Sequence, residues 1–272
     1  VPVHATGPYR VPHVLATSAA IHTNRCPSGA FRGFGVPQGA LATEALMDDL
    51  AAALGEDPLA FRLKNALRAG DRTATGQVIE QSVGMAACLE AVAPAWEDWR
   101  AAADVANGQA QAEGSPIRRG VGVGCMWYGC GNTSMSNPST MRVAVDREGR
   151  VTLYNGAVDI GQGTYTIMPQ ICAETLGIPL ARLDQVTGDT DATPDAGAIV
   201  AREDGVDKRI DLSDLAESAD GAVLEGIAQF DPPTTVLDAD GQGTPYATYG
   251  FAAQIAEVTV DIELGTVKPL RI

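Results

Sequence analysis

Residues Gly29-Ala-Phe-Arg-Gly-Phe-Gly-Val-Pro-Gln38 mark a change of period in the chain. Before them, from Val1 to Phe34, short β-branched runs such as Val11-Pro-His-Val-Leu-Ala-Thr-Ser-Ala-Ala-Ile21 alternate with Pro and Gly, a strand-and-loop pattern. After Pro37 the apolar residues take helical spacing. Leu41, Ala45, Leu46, Leu50 and Leu54 fall on one stripe, Glu44, Asp48 and Asp49 lie outside it, and Gly55 ends it. Gly33 and Gly35 permit a close backbone approach, the helix start beyond them favours an anion, and Arg32 adds a forked cation. Phe34, an aromatic between two glycines, has little adjacent side-chain mass to pack against. The same residues also read as a plain strand-to-helix turn with Arg32 in a salt bridge.

Working outward, Asp57-Pro58 reads as the N-cap and first position of a second helix, with Leu59, Leu63 and Leu67 on its buried side. A third helix is expected over Met85–Trp99, broken at Pro94, followed by a polar linker or frayed helix from Ala101 to Pro116. Beyond it the signal is β. Gly120–Cys125 is a small-residue strand, and Met141–Val145, a turn at Asp146–Gly149 and Val151–Tyr154 form a hairpin. Thr164–Leu176 reads as a helix, Leu183–Thr187 as a short strand, Ala252–Ile262 as a longer one, and Leu264-Gly-Thr266 as a turn into a last strand. The acidic, weakly periodic stretch 199–243 takes no assignment. Blocks of sheet and helix predict an α+β fold of two subdomains, mixed β-sheets flanked by helices, over residues 1–115 and 116–272.

Composition narrows the function. Nineteen Lys and Arg face 34 Asp and Glu, a formal net charge of -15, which opposes binding to nucleic-acid phosphates. The five cysteines include no Cys-x-x-Cys pair, so a zinc ribbon or iron–sulfur cluster has no ligand set here. They read as buried free thiols of a reducing compartment, which places the chain in the cytoplasm. No apolar run is long enough to cross a membrane. The opening residues lack a signal-peptide layout and an initiator Met, and suggest a cut or processed chain.

Two further glycine loops carry polar groups. Gly156-Ala-Val-Asp-Ile-Gly-Gln-Gly-Thr-Tyr165 is again strand, turn and helix; Gln162 offers an amide and backbone N–H groups, and Thr164 stands at the helix start. It is neither a Walker loop nor a Rossmann turn. Thr187-Gly-Asp-Thr-Asp-Ala-Thr-Pro-Asp-Ala-Gly-Ala198 reads as a solvated loop or, through Asp189, Asp191 and Asp195, as a Ca²⁺ site without EF-hand spacing. His4, His13 and His22 have no metal-ligand spacing and read as structural, and no Gly-x-Ser-x-Gly elbow supports hydrolysis.

Taken together, Ala30–Gln38, Asp159–Gly163 before its helix, Thr187–Thr190 and Thr193–Ala198 resemble, in order and spacing, the molybdenum-cofactor-binding subunit of the xanthine dehydrogenase/aldehyde oxidoreductase family. The resemblance implies a molybdenum–molybdopterin cofactor in the cytosine dinucleotide form. It implies that Arg32, Gly33, Gln162, Gly163, Thr164, Gly197 and Ala198 border that cofactor and that Phe34, Gly131 and Asn132 line the substrate. It further implies hydroxylation of an aldehyde or of an N-heterocyclic or aromatic molecule with water-derived oxygen. Electrons would leave to 2Fe-2S and FAD groups on partner subunits, with a second molybdenum-subunit chain as a further partner. The family's Gly-Glu-Pro-like stretch holding the catalytic base would fall beyond Ile272, and neither Glu44 nor Glu174 replaces it. A non-catalytic module keeping the fold and binding a partner or anion, and a β/α scaffold whose glycine loops are only turns, are the competing readings.

Overall fold

The computed structural model describes residues 2–26, 29, 31–189, 191–192 and 215–272. They form two compact units, one from residues 1–135 and 234–272, the other from 136–233. The division expected at 115/116 falls inside the first unit. The reason is pairing: β1 (Ile117–Gly129) lies antiparallel to β6 (Tyr249–Asp261) from Ile117↔Asp261 to Gly129↔Tyr249, so chain on either side of residues 136–233 shares one sheet.

In the first unit the sheet order is β1-β6-β7, with β7 at Thr266–Arg271. Alternation along β1 buries Val123, Cys125 and Trp127 on one face and leaves Gly120, Gly122 and Gly124 on the other. Helix α3 (Met85–Ala112) lies against β1 and β6, burying Met85, Leu89, Trp96 and Ala103. It continues past Pro94 and on to Ala112, over most of the stretch expected to be a linker or frayed helix. A mid-helix proline costs about 3 kcal/mol, whereas losing the buried Trp96 ring would cost about 3–5 kcal/mol. Packing therefore carries the helix past the break.

Helix α2 (Pro58–Asn65) starts as the sequence predicts, with Asp57 Oδ1 accepting the N–H groups of Leu59 and Ala60. Asp57 also accepts the Trp96 indole N–H, which ties α2 to α3. Helix α1 (Val36–Leu54) forms, but turned relative to expectation. Leu41, Leu46, Leu50 and Leu54 are exposed, Leu41 at 77%, while Val36, Met47 and Ala51 are buried. Glu44 rotates inward with that buried face because three donors meet it. The Tyr9 hydroxyl donates to Oε1 at 2.7 Å, and Arg62 Nε and Cys125 N–H donate to Oε2 at 2.8 and 2.9 Å. Arg62 is wholly buried and also reaches Asp48 at 2.7 Å. Its burial, the largest single influence, works against the charge, but the hydrogen bond and attraction to Glu44, with Tyr9 and Asp48 adding to them, together outweigh it and hold the guanidinium above its ordinary pKa. Removing one partner of such a buried pair is far more damaging than never having had it.

The strand-and-loop segment at the start makes no strand among the described residues. Pro2–His4 is a 3₁₀ turn, Tyr9 forms an isolated bridge with Ala66, and residues 10–26 are irregular and exposed. Branched side chains give β preference, yet a strand exists only against a partner edge.

In the second unit the sheet order is β4-β3-β2-β5. Strands β2 (Ser139–Val145) and β3 (Val151–Asn155) form the expected hairpin, closed by Asp146 Oδ1 accepting Arg150 N–H and by Gly149 at φ 74°. Helix α4 (Thr164–Leu176) connects β3 to the parallel β4 (Leu183–Thr187). Strand β5 (Leu224–Phe230) pairs with β2 and comes from the stretch that had no assignment.

Candidate functional site

In the first unit, the passage into α1 is two tight turns. Phe34 N–H donates to Phe31 O at 2.8 Å and Val36 N–H to Gly33 O at 2.9 Å. Gly33, Phe34 and Gly35 all have positive φ, at 101°, 49° and 85°. A Cβ on Gly33 would stand 2.7 Å from Pro37 Cδ, so glycine is required there. Phe34 accepts a left-handed backbone at a cost of roughly 1–2 kcal/mol, and the turn holds its ring 69% exposed. Gly33 is half-buried and Arg32 is exposed.

The Phe34 ring lines a cavity of about 250 Å³ together with Gly131, Asn132, His4, Tyr128 and Tyr246. Three residues expected around a substrate, from places far apart in sequence, thus share one wall. Of the three histidines expected to be structural, His13 and His22 are exposed and His4 is buried in this wall. Its Nε2 accepts Gly129 N–H at 3.2 Å, and burial lowers its pKa to about 4. Tyr246, hydrogen-bonded to Thr133 Oγ1, has its hydroxyl pKa raised by burial. Neither residue carries a local sequence signal, because each reaches the cavity only through long-range pairing.

In the second unit, the loop from β3 to α4 brings Gln162, Gly163 and Thr164 together. Asp159 Oδ1 accepts Gly161 N–H at 2.6 Å and its Oδ2 accepts Tyr165 N–H at 3.3 Å. Gln162 folds back on the loop, Oε1 accepting Ile160 N–H and Nε2 donating to Val158 O and Thr164 Oγ1. The Gln162 amide head thus braces the loop. The N–H groups of Gln162, Gly163 and Thr164 have no acceptor among the described residues. Gly163 caps α4 at φ 86° with no side-chain hydrogen bond. These donors at a helix start fit a phosphate or the acceptor edge of a pterin. Gly197 and Ala198 lie outside the described residues.

Other candidates resolve simply. Asp189 Oδ1 accepts the N–H groups of Asp191 and of Ala192, Asp195 lies outside the described residues, and no metal-binding cluster occurs among those described. Glu44 is held by its three donors, and Glu174 is exposed on α4. Burial pushes the Cys125 thiol up to about 12. An open apolar cavity of about 550 Å³ runs between α1 and the sheet, past Leu41, Gly122, Gly124 and Ala252. No helix among the described residues is long and apolar enough to cross a membrane.

Comparison with known proteins identifies relatives of the chain. Two family models described as molybdopterin cofactor-binding domain match, one over residues 91–202 and 195–272, the other over residues 1–66. The xanthine dehydrogenase molybdenum-binding subunit of Escherichia coli O157:H7 is 38% identical over 195 residues, covering 69% of this chain and 25% of that protein. The nicotinate dehydrogenase large molybdopterin subunit of Eubacterium barkeri is 51% identical over 88 residues, covering 32% of this chain and 21% of that protein. The crystal structure of the aldehyde oxidoreductase from Desulfovibrio desulfuricans ATCC 27774 superposes with a TM-score of 0.81 at 26% identity, over 98% of this chain and 31% of that one. The chain therefore spans about a fifth to a third of the length of these longer relatives. A molybdopterin cofactor-binding family model covering more than half of the sequence, with a fold shared throughout, places the chain in the molybdenum-binding-subunit family of the xanthine dehydrogenases and aldehyde oxidoreductases.

Proposed function

We propose that the chain is the molybdopterin-binding part of a molybdenum hydroxylase acting on an aldehyde or an N-heterocyclic or aromatic substrate. The convergence of Phe34, Gly131 and Asn132 on one cavity, in a member of this family, is the observation that carries the reading. When bound, the molybdenum–pterin group supplies two-electron redox chemistry with water-derived oxygen. The chain's own residues bind and orient. The backbone donors of Gln162, Gly163 and Thr164 hold a phosphate or the pterin edge, with Gly197 and Ala198 assigned to the same cofactor. Arg32 and Gly33 border it in the first unit, while Phe34 stacks on a flat substrate against the wall of Gly131 and Asn132. The cofactor is the cytosine dinucleotide form. Electrons pass to 2Fe-2S and FAD groups on partner subunits, and a second molybdenum-subunit chain joins the assembly.

The test is the natively assembled protein. Its molybdenum content, the nucleotide released on acid hydrolysis and its subunits are measured together, with cytidine monophosphate, iron and flavin expected. An active preparation holding this polypeptide alone, or a stable assembly without molybdenum, overturns the assignment. In Arg32→Ala, molybdenum occupancy or turnover should fall at least tenfold from loss of a charge-assisted contact, with the melting temperature retained.

A further inference from the structure

Resting on the reading that the Phe34 cavity receives substrate, we propose that His4 sets its selectivity. Its Nδ1–H picks out flat, uncharged molecules that carry a hydrogen-bond acceptor. One contact fixes the tautomer. Gly129 N–H donates to His4 Nε2, so Nε2 carries the lone pair and the proton of the neutral ring sits on Nδ1. With a pKa lowered to about 4 by burial, the ring is neutral at physiological pH. Nδ1 has no hydrogen-bond partner among the described residues, yet it is not among the polar atoms sealed from solvent. The ring forms part of the cavity wall, where a donor on Nδ1 would meet a ligand.

Its neighbours hold the ring in place. Tyr128 stacks on it with centroids 5.9 Å apart and planes 19° from parallel, and Trp127 meets it edge-on at 5.2 Å. A half-turn of the ring would give up the Gly129 hydrogen bond, and any other rotation would give up the two ring contacts as well. The rest of the wall is aromatic or uncharged, and none of the described residues lining it is Asp, Glu, Lys or Arg. A carboxylate entering would lose hydration with no cation among the described lining residues to replace it. A ring nitrogen or carbonyl oxygen would gain a donor held in a fixed orientation.

Three probes separate shape, acceptor and charge: quinoline, its isostere naphthalene, and quinoline-4-carboxylate. Dissociation constants are measured by calorimetry on the assembled, cofactor-loaded protein, so catalysis is not the readout. Wild type should bind quinoline about fivefold tighter than naphthalene, the yield of one neutral hydrogen bond, and should bind the carboxylate more weakly than quinoline. His4→Phe keeps an aromatic ring but no donor, and should bring the quinoline-to-naphthalene ratio to about one; His4→Gln should restore part of it. Each value is a ratio within one variant, so a reduced folded fraction cancels. Should His4→Phe not fold, a wild-type ratio of one overturns the proposal by itself. An unchanged ratio in His4→Phe, with Phe34→Ala weakening both neutral probes, removes His4 and leaves the cavity standing. Phe34→Ala without effect on any probe overturns the cavity reading, and His4 falls with it.

Discussion

Two Gly-X-Gly loops open two helices, and they use their central residue in opposite ways. Gly33-Phe34-Gly35 enters α1 and Gly161-Gln162-Gly163 enters α4, each with a left-handed glycine as N-cap and no side-chain cap, φ 85° and 86°. At the first, the central side chain projects outward and the flanking backbone turns hydrogen-bond to themselves. At the second, the central side chain turns inward and braces the loop, which leaves N–H groups presented. One loop offers a ring and the other offers backbone donors. Nearly the same backbone punctuation thus serves a hydrophobic contact in one place and an anion or acceptor in the other.

Changing a glycine in each loop gives the largest contrast. Gly33→Ala meets both a forbidden φ and the Pro37 ring, and should lower stability by about 2–4 kcal/mol. Gly163→Ala, whose Cβ would be 3.6 Å from Ile167, faces the backbone term alone, about 1–2 kcal/mol. Urea denaturation of both variants reads the difference, and equal losses would break the comparison.

Acid comes next, because all three histidines belong to the unit that holds the first loop. The unfolded chain takes up a proton on His4 near pH 6.5, whereas the folded one does so only near pH 4. Stability from this group is therefore complete above pH 6.5 and declines as pH falls towards 4, by at most about 3 kcal/mol. His4→Gln should show a shallower loss than wild type over that window. Identical pH profiles would return His4 to an ordinary, freely titrating site.

The smaller effects fall on the central residues. Gln162→Ala removes three hydrogen bonds that shape the second loop, and should loosen cofactor retention roughly tenfold, read as molybdenum left after dialysis. Phe34→Ala should change stability by no more than about 0.5 kcal/mol while raising the Michaelis constant of a flat substrate up to about tenfold. The reverse result, a large drop in melting temperature with an unchanged Michaelis constant, would make Phe34 a core residue and the two loops alike.

What could be read in advance followed locality. The Asp57 cap, the β2–β3 hairpin and the α4 boundaries are each written within a few residues, and each is found in place. The buried face of α1 departs from its apolar stripe because Glu44 counts as polar in any periodic pattern, while its donors come from Tyr9, Arg62 and Cys125. No rule applied to α1 alone can see that the Cys125 amide waits for it. His4 gives no local signal for the same reason, since its partner is Gly129. Strand β5 carries little signal of its own because most of it is exposed, Ile227 included, and its half-buried residues are the small Gly226 and Ala228.

The pairing of β1 with β6 also sets a timetable. β1 emerges during synthesis well before the strand that completes its sheet, and the whole second unit is made in between. At ribosomal speed that interval is on the order of ten seconds, far longer than a hairpin needs to close. The β2–β3 hairpin can therefore form while β1 still shows an unpaired edge and its Val123, Cys125 and Trp127 face is only partly covered. A nascent chain stalled in this interval is the form most exposed to chaperone capture and to aggregation through the β1 edge.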